Sequence, residues 1–231
     1  WETDLHKSLD ELRITGGEPM MSPNLWRLLD WIETQGSKMN PEMRIAINSN
    51  LGAKLSIIDR FKEKLKGFNN FHLYTSMEAT FGQAEYIRDG LDYGEWFSNF
   101  LHMMVDKVPS EIHNMCTINA LCLESLPELL EKMLFFKNAG KVYGAKVNYT
   151  LNILRFPSFQ SPLVLPDDLR NKFKGDIQKF LNDNAKHLEH MEVDQTQRLI
   201  DYLDVVKTPH AGAATQSKLQ KDFKAFCSQY D

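Results

Sequence analysis

Five short runs along the chain alternate apolar and polar residues in a way that predicts β-strands. They are residues 11–15 (ELRIT), 44–49 (RIAINS), 71–76 (FHLYTS), 113–119 (HNMCTIN) and 145–151 (AKVNYTL). β-Branched and aromatic residues favour such half-buried, pleated segments. Between them, apolar residues recur every three or four positions, the mark of a helix with one buried stripe. Leu25, Leu28, Leu29 and Ile32 share one face, with Ser22 as the expected N-cap and Pro23 at the first helical position. Leu55, Ile58, Phe61 and Leu65 form the next stripe, and Trp96, Phe97, Phe100, Leu101 and Met104 a broader one. Ser125 and Glu128 stand at capping-box spacing at the head of a stripe of Leu126, Leu129, Leu130 and Met133, with Gly140 as its expected stop.

The strand starts lie 27 to 42 residues apart, which suits βα units of about 30 residues with a crossover helix. Right-handed crossovers then require a parallel sheet, an α/β fold. Five strands with helices on one face curl toward a barrel or half-barrel; a doubly wound sheet is the competing architecture. After Leu151 the alternation stops. Residues 155–162 (RFPSFQSP) read as a loop broken by two prolines. Three helical stretches follow, carrying Leu169, Phe173, Ile177, Phe180 and Leu181, then Leu199, Leu203 and Val206, then Leu219, Phe223, Phe226 and Tyr230. Residues 208–215 (TPHAGAAT) read as a flexible linker. The expected division is a partial barrel over 1–162 and a helical C-terminal extension over 163–231.

Composition narrows the function. The 231 residues carry 27 Lys and Arg against 31 Asp and Glu, a net charge of −4, which argues against nucleic-acid binding through a general basic field. A hydrophobic share of 42% excludes a disordered chain. No apolar run approaches the roughly 18 residues that cross a bilayer, so no membrane partner is expected. Three widely spread cysteines argue against a disulfide scaffold and for a reducing, cytoplasmic setting. The sequence opens at Trp1 without an initiator Met or signal peptide, and closes on Gln229-Tyr230-Asp231 without a helix cap; both ends read as those of a fragment.

In parallel α/β folds ligands bind at the carboxyl ends of the strands. The first strand ends in Gly16-Gly17-Glu18-Pro19. Two glycines let the backbone turn tightly and approach a ligand without a Cβ in the way; Glu18 can accept from an ammonium group and Pro19 fixes the turn. The same four residues also suit an ordinary strand-to-helix turn. The second strand ends in Asn48-Ser49-Asn50, which can contact a ribose or carboxylate or simply cap and turn. The third ends in Thr75-Ser76-Met77-Glu78, a hydroxyl and a carboxylate suited to sugar hydroxyls, or a polar loop. Arg88 can fork a carboxylate, or bond Asp89 or Asp92 at the surface. Thr117, Asn119 and Asn148 are polar residues within apolar runs that need partners from neighbours or from a ligand. His187 and His190, near Glu189 and Glu192, stand at a spacing that metals use, though an exposed polar helix explains them as well.

In this order the strand ends resemble the radical S-adenosylmethionine (radical SAM) superfamily, most of all its twitch-domain-containing members, from about Leu5 to about Pro162 and more weakly over 223–231. Gly16-Gly17-Glu18-Pro19, preceded by Arg13-Ile14-Thr15, is similar to the family turn that holds the cofactor's amino group. Residues 48–51 resemble its T/S-N segment, 76–79 its S-hydrophobic-D/E-A/G segment, and 85–90 its E-x-x-R-x-G stretch, whose Arg contacts the cofactor carboxylate. The resemblance implies an incomplete parallel (β/α)6-type barrel. It implies S-adenosylmethionine held by Gly16, Gly17, Glu18 and Pro19 at the ammonium and by Arg88 at the carboxylate. Asn48, Asn50, Ser76, Glu78, Asn119 and Asn148 would contact the rest of the cofactor.

It further implies a [4Fe–4S] cluster fed by an external electron donor. Reductive cleavage of the sulfonium gives a 5′-deoxyadenosyl radical that abstracts a substrate hydrogen, with a peptide or protein as the expected substrate. One departure is large: the family's CxxxCxxC cluster loop is missing, and Cys116, Cys122 and Cys227 do not replace it. Either the loop precedes Trp1 or the cluster has been lost, which leaves a non-catalytic binding or scaffold protein as the alternative. A barrel enzyme acting on a phosphorylated small molecule is disfavoured, because no Gly-rich phosphate loop or basic pair follows the later strands.

Overall fold

Residues 4–66, 68–205 and 213–229 are described by the structure, a computed structural model. The alternating runs become strands and the three-to-four-residue stripes become helices. In chain order these are α1 (Leu5–Ser8), β1 (Glu11–Ile14), α2 (Pro23–Gln35), β2 (Arg44–Asn48), α3 (Leu55–Leu65), β3 (Phe71–Ser76), α4 (Phe81–Ile87) and α5 (Tyr93–Val105). Then come β4 (Glu111–Ile118), α6 (Leu126–Tyr143), β5 (Lys146–Ile153), α7 (Asp167–Asn184), α8 (His190–Asp204) and α9 (Ala213–Cys227).

The strands form one parallel sheet in the order β1-β2-β3-β4-β5. Glu11 lies opposite Arg44 and Ile14 opposite Ile47; Ile45 lies opposite Phe71 and Asn48 opposite Tyr74. Lys146 N–H donates to Ser110 O at 3.1 Å and Leu154 N–H to Ile118 O at 2.8 Å, so β5 follows β4 start to start and end to end. A doubly wound sheet needs a reversal of strand order. This order never reverses, and right-handed crossovers then place the helices on one face.

The side chains agree. Phe61 of α3 packs on Phe71 of β3 with ring centroids 5.8 Å apart, and Trp26 of α2 packs on Phe61 at 6.5 Å. Trp96 of α5 donates its Nε1–H to Thr75 Oγ1 at 3.0 Å, and Phe136 of α6 stacks on Phe100 at 4.1 Å. Trp96, Phe100 and Phe136 are fully buried, and each contributes about 1.5–3 kcal/mol by leaving water.

The chain divides into two compact units. One comprises the residues up to Ser76 together with Gly90–Asn114 and Phe135–Asn148; the other comprises Met77–Asp89, Met115–Leu134 and the described residues from Tyr149 onward. In the second unit α8 lies along β5. Tyr149 N–H donates to Glu192 Oε1 at 3.0 Å and Leu151 N–H to Gln195 Oε1 at 2.7 Å, while Arg198 Nη2 donates to Leu151 O at 3.0 Å. A strand that ends a sheet exposes unpaired backbone groups, and here polar side chains of a helix satisfy them. Glu192 is therefore fully buried, not part of an exposed polar helix. It also closes a capping box with Glu189 at the start of α8.

One other sequence expectation gives way to packing. Gly140 does not stop α6. A Cβ there would collide with Ala145 O and stand 3.1 Å from Val147 Cγ2, so the glycine lets the helix pass close to the start of β5. The helix ends before Gly144, whose φ of +78° turns the chain. Ser125 and Glu128 engage Thr80, whose N–H reaches Ser125 Oγ at 3.3 Å and whose hydroxyl reaches Glu128 Oε2 at 2.9 Å. Val206 of the expected second stripe, residues 208–212 of the expected linker, and Tyr230 lie outside the described residues; from Ala213 the chain is α9. Among the described residues no helix is long and apolar enough to cross a membrane.

Candidate functional site

The turn after β1 is built by two left-handed residues. Gly16 has φ +94° and Gly17 φ +52°, and a Cβ at either would meet nothing within 4 Å. Conformation, not crowding, thus favours glycine here, and the turn's backbone borders open space. Gly16 and Pro19 also line a groove of about 220 Å³ that runs between β1 and α2 past Ser22, Asn24 and Leu25.

Glu18 folds back over this turn. Its Oε1 accepts the Met20 N–H at 3.1 Å and the Ser49 hydroxyl at 2.9 Å, and its Oε2 accepts the Asn50 N–H at 2.7 Å. Pro19 starts the short 3-10 turn that follows and is buried. The carboxylate thereby joins the loop after β1 to the loop after β2. A carboxylate offers about four lone-pair positions, of which three are filled.

The β2 loop is fixed from several sides. Leu51 N–H donates to Ser49 Oγ at 3.0 Å and Gly52 N–H to Asn50 Oδ1 at 2.8 Å. Leu51 has φ +53°, an uncommon conformation for a side chain with a Cβ. Buried Asn99 of α5 holds it there by donating to Leu51 O and Ala53 O, both at 2.8 Å. Asn48, the last residue of β2, has a buried Oδ1 without a hydrogen-bond partner among the described residues. Ser76 ends β3 and is half-buried. Asn148 sits toward the amino end of β5, donating to Glu111 Oε1 at 2.7 Å and accepting from Lys137 Nζ at 3.3 Å. It is not brought together with Glu18.

In the second unit Glu78, 5% exposed, receives Arg88 as a fork, Nε on Oε2 at 2.7 Å and Nη2 on Oε1 at 2.5 Å. Arg88 follows α4 as its C-cap, and Gly90 turns the chain with φ +75°. The partner of Arg88 is thus the carboxylate ten residues before it, not Asp89 or Asp92. Asn119 closes a turn: its Oδ1 accepts from Leu121 N–H at 2.8 Å and Cys122 N–H at 3.2 Å, and its Nδ2 donates to Thr117 O at 3.3 Å.

Burial pushes the Cys122 thiol up to about 12 and the Cys116 thiol well above its ordinary value, with the Glu78 charge adding to both. Among the described residues no three His, Cys, Asp or Glu side chains are grouped to hold a metal ion. His190 pairs with Asp194 at 2.9 Å instead.

One feature of the sheet escaped a reading of strand ends alone. The face away from α3 and α5 carries a run of polar contacts within the first unit. Glu11 bonds Arg13 and Arg44, and the Arg13 guanidinium lies 4.5 Å over the Tyr74 ring. The Tyr74 ring lies tilted against His113 with centroids 5.3 Å apart, and His113 and His72 both approach Glu111 at 3.7 Å. The signal was there as period two: Glu11 and Arg13, Arg44 and Asn48, His72, Tyr74 and Ser76 all fall on alternate positions.

No family model matches the sequence, and no curated protein matches it. Among solved structures, Streptococcus suis SuiB bound to S-adenosylmethionine is similar at 14% identity over 75% of this chain and 37% of that one, with a TM-score of 0.48. A second structure of Streptococcus suis SuiB is similar at the same identity and coverage, with a TM-score of 0.47. Native anSMEcpe with bound AdoMet and Cp18Cys peptide is similar at 14% identity over 75% of this chain and 48% of that one, with a TM-score of 0.43. The chain spans less than half the length of each. Likeness at this level carries no argument about chemistry, which must rest on the residues themselves.

Proposed function

We propose that this chain binds S-adenosylmethionine at the carboxyl ends of β1 and β2, as part of a radical SAM enzyme acting on a peptide or protein. The observation that carries the reading is the turn at Gly16–Glu18. It places left-handed glycine backbone, open on its free side, next to a carboxylate with one acceptor position unfilled. The cofactor's ammonium group has three N–H donors and needs acceptors of this kind. The glycine carbonyls, Glu18 and the unpartnered Asn48 Oδ1 supply them. Each charge-assisted bond contributes about 1.5–3 kcal/mol. Asn50 and Pro19 act by holding the two loops in place. For Ser76, Glu78, Arg88, Asn119 and Asn148 a cofactor role rests on the sequence resemblance alone.

Bound S-adenosylmethionine supplies a sulfonium centre whose carbon–sulfur bond is open to reductive cleavage. The described residues do not fit a [4Fe–4S] cluster, since no three His, Cys, Asp or Glu side chains among them are grouped to hold a metal ion. The part assigned to this chain is therefore to bind and orient the cofactor. The same observation favours a second reading, a binding protein that keeps the site without the cleavage.

Calorimetry with S-adenosylmethionine tests the common element. Saturable binding to the chain, weakened about tenfold or more by Glu18→Gln, is expected. Binding that is absent, or equal in the variant, overturns the site. Anaerobic reconstitution with iron and sulfide, followed by assay of 5′-deoxyadenosine, separates the two readings in the whole protein.

A further inference from the structure

The polar face of the sheet contains an arrangement the proposed cofactor site does not use. Glu11 and Arg13 lie on β1 and Arg44 on β2, directly opposite Glu11 in the parallel register. Arg13 Nε donates to Glu11 Oε1 at 2.8 Å, and Arg44 Nη2 donates to Glu11 Oε2. One carboxylate is thus divided between two guanidiniums. A guanidinium and a carboxylate prefer a fork-to-fork pair with two parallel bonds. Here each arginine has only one bond to Glu11, and Arg44 Nε is buried without a hydrogen-bond partner. A buried N–H left this way is unfavourable, because it has given up water without gaining a partner. The trio holds two positive charges against one negative.

The setting suits a ligand. The side chains of Arg13 and Arg44 are 42% and 39% exposed. Arg13 is steadied by Tyr74, whose hydroxyl accepts from Nη2 at 3.3 Å and whose ring lies beneath the guanidinium at 4.5 Å. Such stacking fixes a planar cation while leaving its other face and remaining N–H groups free to bind. A purely structural ion pair would be expected to balance its charges and fill its forks.

We propose that Arg13 and Arg44 together bind a carboxylate group of a ligand on this face of the sheet. A single negative charge completes two guanidiniums and two carboxylates. A phosphate dianion would exceed the balance, and Glu111, farther along the same face and itself held by His72, His113 and Asn148, would oppose the extra charge. The carboxylate belongs either to a small organic acid or to an acidic side chain of a peptide. The inference does not depend on the S-adenosylmethionine site, in which none of these three residues has a part.

Side-chain Nε–Hε signals of Arg13 and Arg44 in ¹H–¹⁵N spectra report the event directly. The probes are glutarate, N-acetyl-Gly-Glu-Gly-amide, N-acetyl-Gly-Gln-Gly-amide, inorganic phosphate and S-adenosylmethionine, each added alone. Saturating shifts with glutarate or the Glu peptide, and none with the Gln peptide, are expected; the tighter of the two carboxylates identifies the source. Glu11→Gln, which removes the internal competitor, is expected to tighten carboxylate binding about tenfold, and Arg13→Gln to weaken it about tenfold with an unchanged circular dichroism spectrum. Equal shifts with the Gln peptide, tighter binding of phosphate, saturation by S-adenosylmethionine alone, or an Arg13→Gln variant that binds as well as the parent would overturn the proposal.

Discussion

Glu18 Oε2 accepts the Asn50 backbone N–H at 2.7 Å, across 32 positions of sequence, and so ties the turn after β1 to the loop after β2. The same carboxylate holds Met20 N–H and the Ser49 hydroxyl. Glu18 therefore has a structural duty besides any ligand it binds. In Glu18→Gln one oxygen becomes an NH₂ that faces a donor, either Asn50 N–H or the Ser49 and Met20 groups. A loss of about 1–3 kcal/mol in urea-induced unfolding is expected, together with weaker S-adenosylmethionine binding. Stability equal to that of the parent would show that these bonds do not form in solution.

Arg88 presents a related case. Its fork neutralises Glu78, whose side chain is 7% exposed. Arg88→Ala leaves that carboxylate buried and unpaired, and about 3–5 kcal/mol of destabilisation is expected. The double variant Glu78→Gln with Arg88→Met removes both charges and is expected to recover most of the loss. Thermal unfolding of the parent, Glu78→Gln, Arg88→Met and the double variant forms a double-mutant cycle. A near-zero coupling energy would rule out the pair. Any effect of Arg88→Ala on ligand binding has to be read against this cost.

Strands and most helices were legible because alternation and three-to-four spacing record burial directly. Phe71, Leu73 and Thr75 face the helices while His72, Tyr74 and Ser76 do not. What stayed illegible depends on which elements become neighbours. Nothing local in Glu192 or Gln195 says that β5 ends the sheet and needs its N–H groups covered. Asn99 reads as a polar interruption of the α5 stripe until the Leu51 and Ala53 carbonyls are known to sit beneath it. The glycines and Glu18 of the first turn could be picked out, since two adjacent glycines at a strand end mark a backbone that turns tightly. Their actual partners, Ser49 and Asn50, lie on another strand's loop.

Gly140 and Gly175 both occupy helix interiors and should respond oppositely to alanine. A Cβ on Gly140 strikes Ala145 O, a backbone atom that cannot rotate away. Overpacking of this kind costs about 1–3 kcal/mol. A Cβ on Gly175 in α7 meets nothing within 4 Å, and Gly→Ala in an open helical position stabilises by about 0.5–1 kcal/mol. Denaturant midpoints of Gly140→Ala and Gly175→Ala should move in opposite directions. A stabilising shift in both would mean that α6 does not approach the start of β5 as closely as the structure has it.

Glu111 makes stability depend on acid. The imidazole of His113, 3.7 Å away, does most to hold its carboxyl down at about 2, and the Asn148 amide at 2.7 Å and the Lys146 charge help. The unfolded carboxyl titrates near 4.5. Between these values the unfolded chain binds a proton that the folded chain does not, so stability rises with pH there. The contribution is complete above pH 4.5 and lost as pH falls toward 2, on the order of 2–3 kcal/mol. His72 acts in the same direction at higher pH: burial holds its imidazole below 6.5, so below that value the unfolded state again takes up the extra proton. Urea unfolding from pH 7 to 2.5 should show a continuous decline in the parent. Glu111→Gln should begin less stable at pH 7 and lose less between pH 4.5 and 2.5. A variant whose decline in that window parallels the parent's would place the acid-sensitive group elsewhere.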